Sequence, residues 1–535
     1  MPMQHMRASL VLSLLLGLAV PAAAEPVAPL GPSFRLNQDP ACFATAPQVA
    51  FFPGHELWVW EEEREIVGAE VPPGGSTVDE RQTISGSDPA FVPRVDQAAD
   101  GSAWAAWVGR DGTATVRIRR LDSPSSTAEL SGEGALTLDV AAAPGGHALV
   151  AWVERRSMDD PPERLVFQQI SAAGEPLDVP RVLWTSEHFL APAVAALSPT
   201  RFLVTWLDSD DPGPTIRAMI LTNTGTVEAP VFPTVPAFVV NEGAEIFPGV
   251  TAQSAPEAAA LPGGGFAIAW TGTIEVDPPF LTPFLRVFDE TGSPRGPFEP
   301  VETDSLLPYF AARPGLAADE AGRIALAWPG FRGESVPTGP SDQIVGAVLL
   351  DALGQPMSEA FEVRRIAGTE GLIARNVSPR FDLSGNLLVT WDEGSETPPI
   401  LPPDCVGGGH FISGRRFATG CTPGALCLQD NRFEVTVTWE DPFNGGTGVG
   451  HPRQLTGDTG SFWFFSENNL ELMAKVLDGR GINGHWWVFF GSLTNVGFEL
   501  TVVDRATGEE KTYTNPPFTF ASRGDTTAFD GSEGN

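Results

Sequence analysis

The sequence predicts an all-β protein: a seven-bladed β-propeller closed by an N-terminal strand and followed by a C-terminal antiparallel β-sandwich. The main observation is a phrase that recurs seven times, in which a tight turn leads into an apolar strand ending in Trp. The strand-end residues are Trp60, Trp107, Trp152, Trp206, Trp270, Trp328 and Trp391. They stand 45 to 64 residues apart, and a repeat of short strands with this period is typical of propeller blades.

Each repeat contains more than the Trp strand. In four repeats a Pro stands 14 residues before the Trp and opens a short first strand, as at Pro93 and Pro192. Gly-marked turns separate two further strands, so most repeats predict four antiparallel strands. The seventh repeat lacks its fourth strand, and residues 31–37 (GPSFRLN) have the pattern of that strand. We therefore expect the N-terminal segment to complete the last blade and remove an exposed sheet edge.

The chain changes character at Cys421. Apolar and polar residues alternate from there on, as in residues 432–439 (RFEVTVTW), which predicts a β-sandwich. In the aromatic runs FWFF and WWVFF, alternate residues are expected to face the core. The predicted organisation is a propeller over residues 25–418 and a C-terminal module over residues 419–535.

Residues 1–24 have the pattern of a secretory signal peptide. Arg7 supplies positive charge, residues 9–20 are apolar, and residues 22–24 (AAA) offer a cleavage site. The apolar stretch is too short to span a membrane as a helix, and no later segment has the ~20 apolar residues that a span needs. We expect a mature protein that begins near Glu25 and is secreted in soluble form.

The net charge of −34 excludes some classes of partner. Neutralising nucleic-acid phosphates requires clustered Lys and Arg, which this composition does not favour. The same charge argues against anionic membrane surfaces and favours solubility. A polysaccharide or a cell-surface protein is the partner that we expect.

Four cysteines remain after export: Cys42, Cys405, Cys421 and Cys427. An even number in an oxidising compartment predicts two disulfides, for which three pairings exist. In the predicted blade register, Cys42 and Cys405 lie in loops that emerge on the same face of the ring. The register therefore favours a Cys42–Cys405 bridge at the closure and a local Cys421–Cys427 bridge.

The strand-end Trp residues allow two interpretations. They are either sugar-binding platforms or wedges between neighbouring blades, and their shared position at the end of apolar strands favours wedges. The variable loops that follow them are a better place for a ligand. The acidic residues predicted to bind it are Asp159, Asp160, Asp208, Asp210, Asp211, Asp277, Asp392 and Glu393. Such carboxylates could hold Ca²⁺, although none of the loops has the spacing of a known calcium loop, and a solvated acidic rim is the alternative.

The C-terminal segment resembles a module found in many large secreted bacterial proteins. The matching stretches are LCL, RFEV, FWFF, NLELMAKVLDG, WWVFFGSLTNV and KTYTNPP, in that order. The match covers nearly all of residues 421–530, and the module brings no settled activity with it. Where its pattern often has a Cys after KVLDG, this chain has Arg480, which strengthens the pairing of Cys42 with Cys405. The repeats resemble secreted bacterial propeller proteins and lack the WD40 and sialidase Asp-box patterns.

We expect a non-enzymatic binding or interaction protein that presents its acidic loops to a polymer or cell-surface ligand. The sequence contains no H-E-x-x-H, G-x-S-x-G or phosphate-binding Gly loop. One alternative is a glycan-active hydrolase on the same scaffold, which needs a pair of carboxylates. A sialidase-like version would need a Tyr nucleophile, and neither Tyr309 nor Tyr513 has a supporting motif. Another alternative is a calcium-dependent structural or adhesive protein.

Overall fold

The structure, a computed structural model, is nearly all β. It describes residues 27–37, 43–78, 80–86, 89–110, 113–123, 127–130, 134–155, 162–187, 190–209, 214–241, 250–252, 254–274, 280–303, 306–308, 313–332, 342–368, 372–395, 410–421, 424–429, 431–505, 507 and 509–531. Within these ranges the helices are a 3₁₀ turn, Pro262–Gly264, and one α-helical turn, Arg480–Asn483. Neither is long enough to cross a membrane. The predicted signal peptide lies outside the described residues.

Seven antiparallel sheets follow one another along the described part of residues 27–418. Sheet 1 comprises Ala44–Phe52, His55–Glu62, Glu65–Val71 and Gln82–Thr83. Sheet 2 comprises Ala90–Gln97, Ala103–Arg110, Ala114–Arg120 and Ala128–Leu130. Sheet 3 comprises Ala135–Ala143, His147–Glu154, Glu163–Ile170 and Arg181–Ser186. Sheet 4 comprises Leu190–Ser198, Arg201–Asp208, Thr215–Thr222 and Phe238–Val239.

The next three sheets repeat this order with small variations. Sheet 5 comprises Val250–Ala252 and Glu257–Ala260, which both pair with Phe266–Ile274, then Phe280–Phe288 and Pro294–Pro300. Sheet 6 comprises Leu306–Pro308 and Gly315–Ala318, which both pair with Ile324–Arg332, then Gln343–Leu350 and Phe361–Ile366. Sheet 7 comprises Leu372–Phe381, Leu387–Ser395 and Phe411–Ala418, joined by Ala28–Pro29 and Phe34–Arg35.

The N-terminal strands pair with the last strand of sheet 7. Phe34 pairs with Gly414, and Ala28 pairs with Ala418. The first strands of successive sheets also contact one another, and the first strand of sheet 7 contacts that of sheet 1. Sheets of four antiparallel strands in this order are consistent with propeller folds, in which no sheet edge is left open.

The strand-end Trp residues are buried between consecutive sheets. All seven have at most 1% of their surface exposed. Trp152 lies in one apolar cluster with residues of sheets 2 and 3, and Trp391 lies in one with residues of sheets 6 and 7. Trp60, in sheet 1, shares its cluster with Leu388 and Ile412 of sheet 7. The interpretation of these residues as wedges is confirmed by their burial.

Two five-stranded sheets follow residue 421. Sheet 8 comprises Leu426–Leu428, Phe433–Glu440, Thr447–Val449, Gly497–Asp504 and Glu509–Asn515. Sheet 9 comprises His451–Gln454, Thr459–Trp463, Leu472–Gly479, His485–Ser492 and Ser522–Asp530. Residues of both sheets form one apolar core. The Arg505 guanidinium donates to the Ser384 carbonyl at 3.0 Å, and the Arg505 carbonyl accepts from Asn386 Nδ2 at 2.9 Å. These bonds connect this part to sheet 7.

Trp391→Ala is expected to destabilise the protein by about 3–5 kcal/mol, because it leaves a cavity between sheets 6 and 7. The shift in the urea midpoint of residues 25–535 measures this cost. Leu383→Ala removes a side chain that is 68% exposed and serves as the control, with an expected change below about 0.5 kcal/mol. Equal midpoints for the two variants would contradict the wedge interpretation.

Candidate functional site

A central cavity lies where the first strands of the seven sheets meet. Its volume is about 290 Å³, and every sheet from 1 to 7 contributes to its lining. The charged side chains of this lining are Arg94, Asp96, Asp139, Glu257, Arg313, Arg375 and Arg380. Together they bring seven charged groups to the wall of one cavity, and we take this cavity as the candidate site.

Three strained bulges shape one side of the cavity. The pairing register of the first strand shifts between Thr45 and Gln48 in sheet 1, and at equivalent places in sheets 2 and 7. The bulged residues have positive φ: 54° at Ala46, 55° at Val92 and 47° at Asn376. Such backbone is uncommon outside glycine and is often retained at functional sites. A bulge also re-aims the side chains beside it, here the cavity-lining Gln48, Arg94 and Asn376.

Buried carboxylates hold these bulges in place. Asp392 accepts hydrogen bonds from Ala46 N at 3.1 Å and from Asn376 Nδ2 at 2.8 Å, so it connects the bulges of sheets 1 and 7. Glu61 accepts from Val92 N at 3.1 Å in sheet 2. Burial raises the pKa of Asp392, and it raises that of Glu61 to about 7. These two acids hold the bulges in place and do not line the cavity themselves.

Two carboxylates of the lining also join neighbouring sheets. Asp96 Oδ2 accepts from Ala142 N at 2.9 Å, which connects sheets 2 and 3. Asp139 Oδ2 accepts from Val194 N at 2.8 Å, which connects sheets 3 and 4. In each residue the second oxygen, Oδ1, faces an arginine: Arg380 at 3.5 Å and Arg94 at 3.9 Å, respectively.

Two arginines connect parts of the cavity that are far apart in the chain. Arg380 of sheet 7 donates to the Val95 carbonyl of sheet 2 at 2.7 Å. Arg313 forms an ion pair with Glu257 at 2.6 Å and donates to the Pro192 carbonyl of sheet 4 at 3.3 Å. The floor of the cavity is therefore a network of charged groups from most of the sheets.

The enclosed position of these groups changes their proton affinities. Burial raises the pKa of Asp139 to about 6, and repulsion by the Glu257 carboxylate adds to the rise. Burial likewise raises the pKa of Asp96, against the attraction of Arg380. Burial and repulsion by Arg313 lower the pKa of Arg94. Asp139 is thus an acid that can hold and release a proton near neutral pH, which is what general acid catalysis requires.

None of the acidic residues predicted to bind a ligand is among the described residues that line the cavity. Asp159, Asp160, Asp210, Asp211 and Asp277 lie outside the described residues. Asp208, Asp392 and Glu393 are described, and each is at most 2% exposed. The ligand-binding role of the acidic loops stays a prediction, and these three residues have bonds within the fold instead of a position on a rim.

Those bonds account for all three buried acids. Asp208 accepts from Trp184 Nε1 at 3.1 Å and from Arg217 Nε at 2.9 Å. Glu393 accepts from Ser413 Oγ at 2.7 Å. Asp208 is the last residue of the strand that contains Trp206, and Asp392 and Glu393 directly follow Trp391 in its strand. At these positions each strand is still covered on both faces.

One of the two predicted disulfides is confirmed. Cys421 and Cys427 are bonded, with their Cα atoms 5.7 Å apart. Cys42 and Cys405 lie outside the described residues, so their pairing stays a prediction. No group of three or more His, Cys, Asp or Glu side chains that could hold a metal ion occurs among the residues that the structure describes.

The aromatic runs of the C-terminal part alternate as expected. Phe462 and Phe464 of FWFF are buried, as are Trp486 and Phe490 of WWVFF. Trp463, Trp487 and Phe489 lie on the opposite face of sheet 9 and are half-buried. Core packing therefore accounts for alternate members of each run.

Sequence reasoning missed the cavity residues. The signal was present: Arg94 follows Pro93, Arg313 precedes Pro314, and Glu257 follows Pro256, so a charged residue flanks the first-strand proline in three repeats. A charge beside the predicted start of an inner strand points toward the axis of a ring.

Comparisons with known proteins give weak likenesses only. No family model and no curated protein matches the chain. An alpha-L-arabinanase of Penicillium chrysogenum complexed with arabinobiose is 12% identical, with 61% of this chain and 92% of that chain covered and a TM-score of 0.39. A Dyadobacter fermentans protein of unknown function is 14% identical, with coverages of 73% and 98% and a TM-score of 0.39. These likenesses are too distant to assign a fold or a function to this chain.

Asp139→Asn is expected to alter the pH dependence of stability. Folding raises the pKa of Asp139 from 3.8 to about 6. The stability that protonated Asp139 contributes is therefore fully present below pH 3.8 and is lost as pH rises through 6. Asn stays neutral and can still accept from Val194 N. The free energy of unfolding of the variant, relative to that of wild type, should therefore increase by on the order of 2 kcal/mol as pH rises from about 4 to about 7.

Urea midpoints at several pH values in this range measure the difference. Glu320→Gln, which changes an exposed carboxylate in a turn, is the control and should show no such trend. A difference between Asp139→Asn and wild type that does not vary with pH would contradict the assignment.

Proposed function

We propose that the chain is a secreted, seven-bladed β-propeller with a C-terminal β-sandwich. Support for the ring comes from the contact between the first strands of sheets 7 and 1, and from the N-terminal strands that pair within sheet 7. Support for the sandwich comes from the single core shared by sheets 8 and 9. The signal-like residues 1–24 support export.

We further propose that the protein is a glycan-active hydrolase whose active site is the central cavity. The observation that carries this proposal is the pair of cavity carboxylates, Asp139 and Glu257, in different environments. Burial raises the pKa of Asp139 to about 6, whereas Glu257 forms an ion pair with Arg313. Glycoside hydrolysis uses two carboxylates in different environments, one of which donates a proton.

Asp139 is the general acid in this proposal. Its Oδ2 is held by Val194 N, and Oδ1 carries the proton toward the cavity. Transfer of that proton to the glycosidic oxygen lets the departing sugar leave as a neutral alcohol. Glu257, which is paired with Arg313, stabilises the positive charge that develops on the anomeric carbon. Water supplies a hydroxyl group to that carbon, and its remaining proton returns to Asp139.

Asp139→Asn should reduce polysaccharide turnover by about 100- to 10,000-fold, the usual contribution of a general acid. The assay measures reducing ends released by residues 25–535 from a panel of neutral and acidic polysaccharides. Wild-type activity should fall as pH rises through about 6, because Asp139 then loses its proton. Glu320→Gln should retain full activity at each pH.

Wild-type turnover by Asp139→Asn would refute the assignment of Asp139 as the general acid. If the wild type turns over none of the panel yet binds one of its members, the non-enzymatic binding hypothesis is favoured instead. A change in acidic-loop residues that weakens such binding would then locate it at the loops after the Trp strands. A rise in melting temperature with added Ca²⁺ would favour the calcium-dependent alternative.

A further inference from the structure

Arg94 is a partly buried cation whose Nε has no hydrogen-bond partner among the described residues. Its side chain is 18% exposed, and its Nε makes no hydrogen bond. The nearest carboxylate oxygen, Asp139 Oδ1, lies 3.9 Å from Nε, beyond hydrogen-bond distance. The Nε–H donor is thus both shielded from water and unpaired, and leaving such a donor unmet is costly. Arg94 lines the cavity, so the missing acceptors can come from a molecule inside it.

The carboxylates of the cavity do not supply the acceptor that Arg94 lacks. The carboxylate of Asp96 is engaged by Ala142 N and lies 3.5 Å from Arg380. That of Glu257 is paired with Arg313. Protonation of Asp139, which its raised pKa favours, removes the negative charge nearest to Arg94. Repulsion by Arg313 and Arg380 adds to the demand for an anion beside Arg94.

The charge of the cavity contrasts with that of the whole protein. Its described lining contains four arginines and three carboxylates, whereas the whole chain has 33 basic and 67 acidic residues. A cation-rich cavity in an acidic protein attracts a negatively charged group that the outer surface repels. A volume of about 290 Å³ leaves room for one or two sugar units.

We propose that the cavity binds a carboxylate-bearing sugar, a uronate unit of an acidic glycan, through Arg94. A carboxylate is planar and offers two oxygens, which match the parallel N–H donors of a guanidinium. The bulge at Val92, held by Glu61, fixes the backbone from which Arg94 extends. This assignment rests on the proposed function and names the substrate class of the same site.

Calorimetric titration of residues 25–535 tests the assignment. The probes are oligomers of galacturonate and glucuronate, with galactose and glucose oligomers of equal length as neutral counterparts. Wild type and Asp139→Asn should both bind a uronate oligomer at least 10-fold more tightly than its neutral counterpart. Because Asp139→Asn should have strongly reduced turnover, its titration measures affinity separately from catalysis.

Arg94→Gln should weaken uronate binding by about 10- to 100-fold, as expected for a charge-assisted hydrogen bond, and leave neutral-sugar binding unchanged. Arg94→Lys, which keeps the charge but loses the paired donors, should lie in between. Arg295→Gln removes an arginine that is 37% exposed outside the cavity and should bind like wild type. Urea midpoints verify that each variant is folded.

Equal affinity for uronate and neutral oligomers, binding of neither, or unchanged uronate binding by Arg94→Gln would overturn the assignment. Preference for a sulfated oligosaccharide over the uronates would also overturn it, because a tetrahedral sulfate would then be the anion recognised. Uronate binding that depends on Arg94, without turnover of any glycan, would refute the proposed hydrolase alone. Turnover of neutral glycans only would refute the uronate assignment alone.

Discussion

The hydrogen bonds that inner-strand side chains make to the backbone of the next sheet are the interaction on which the rest of the structure depends. Gln97 exchanges two bonds with Phe51, of 2.8 and 2.6 Å, and so connects sheets 2 and 1. Asp96 and Asp139 carry the connection onward to sheets 3 and 4. Apolar packing between sheets has no direction, whereas these bonds determine how each first strand is placed against its neighbour.

The same constraint creates the candidate site. Asp96 and Asp139 reach across to the next sheet from first strands, and both line the cavity. The second oxygen of each then faces other side chains that converge on the axis, as Asp139 Oδ1 faces Arg94. Burial raises the pKa of Asp139 for this reason. Stability and chemistry therefore share residues, and the bulges at Ala46 and Val92 are part of the same arrangement.

Much of the fold was predictable because its signals are local. Alternation and turn residues predicted the strands, and burial of the recurring Trp could be inferred from its place at the end of an apolar run. The disulfide between Cys421 and Cys427 is also local, because the two residues are six positions apart in the sequence. The acidic loops stay a predicted ligand site, although Asp392 and Glu393 belong to a covered strand.

By itself the sequence determined which residues form strands, which Trp side chains are wedges, and where the chain changes from repeats to the C-terminal part. Each of these follows from the alternation of side chains along a strand, which has a period of two residues, or from the repeat of about fifty residues. Only the tertiary structure decided which charges meet, since Arg94 and Arg380 are nearly 300 positions apart and come together only when the first strands surround one axis. Side-chain alternation assigns a residue to a face of a strand, but convergence of seven sheets is a property of the ring.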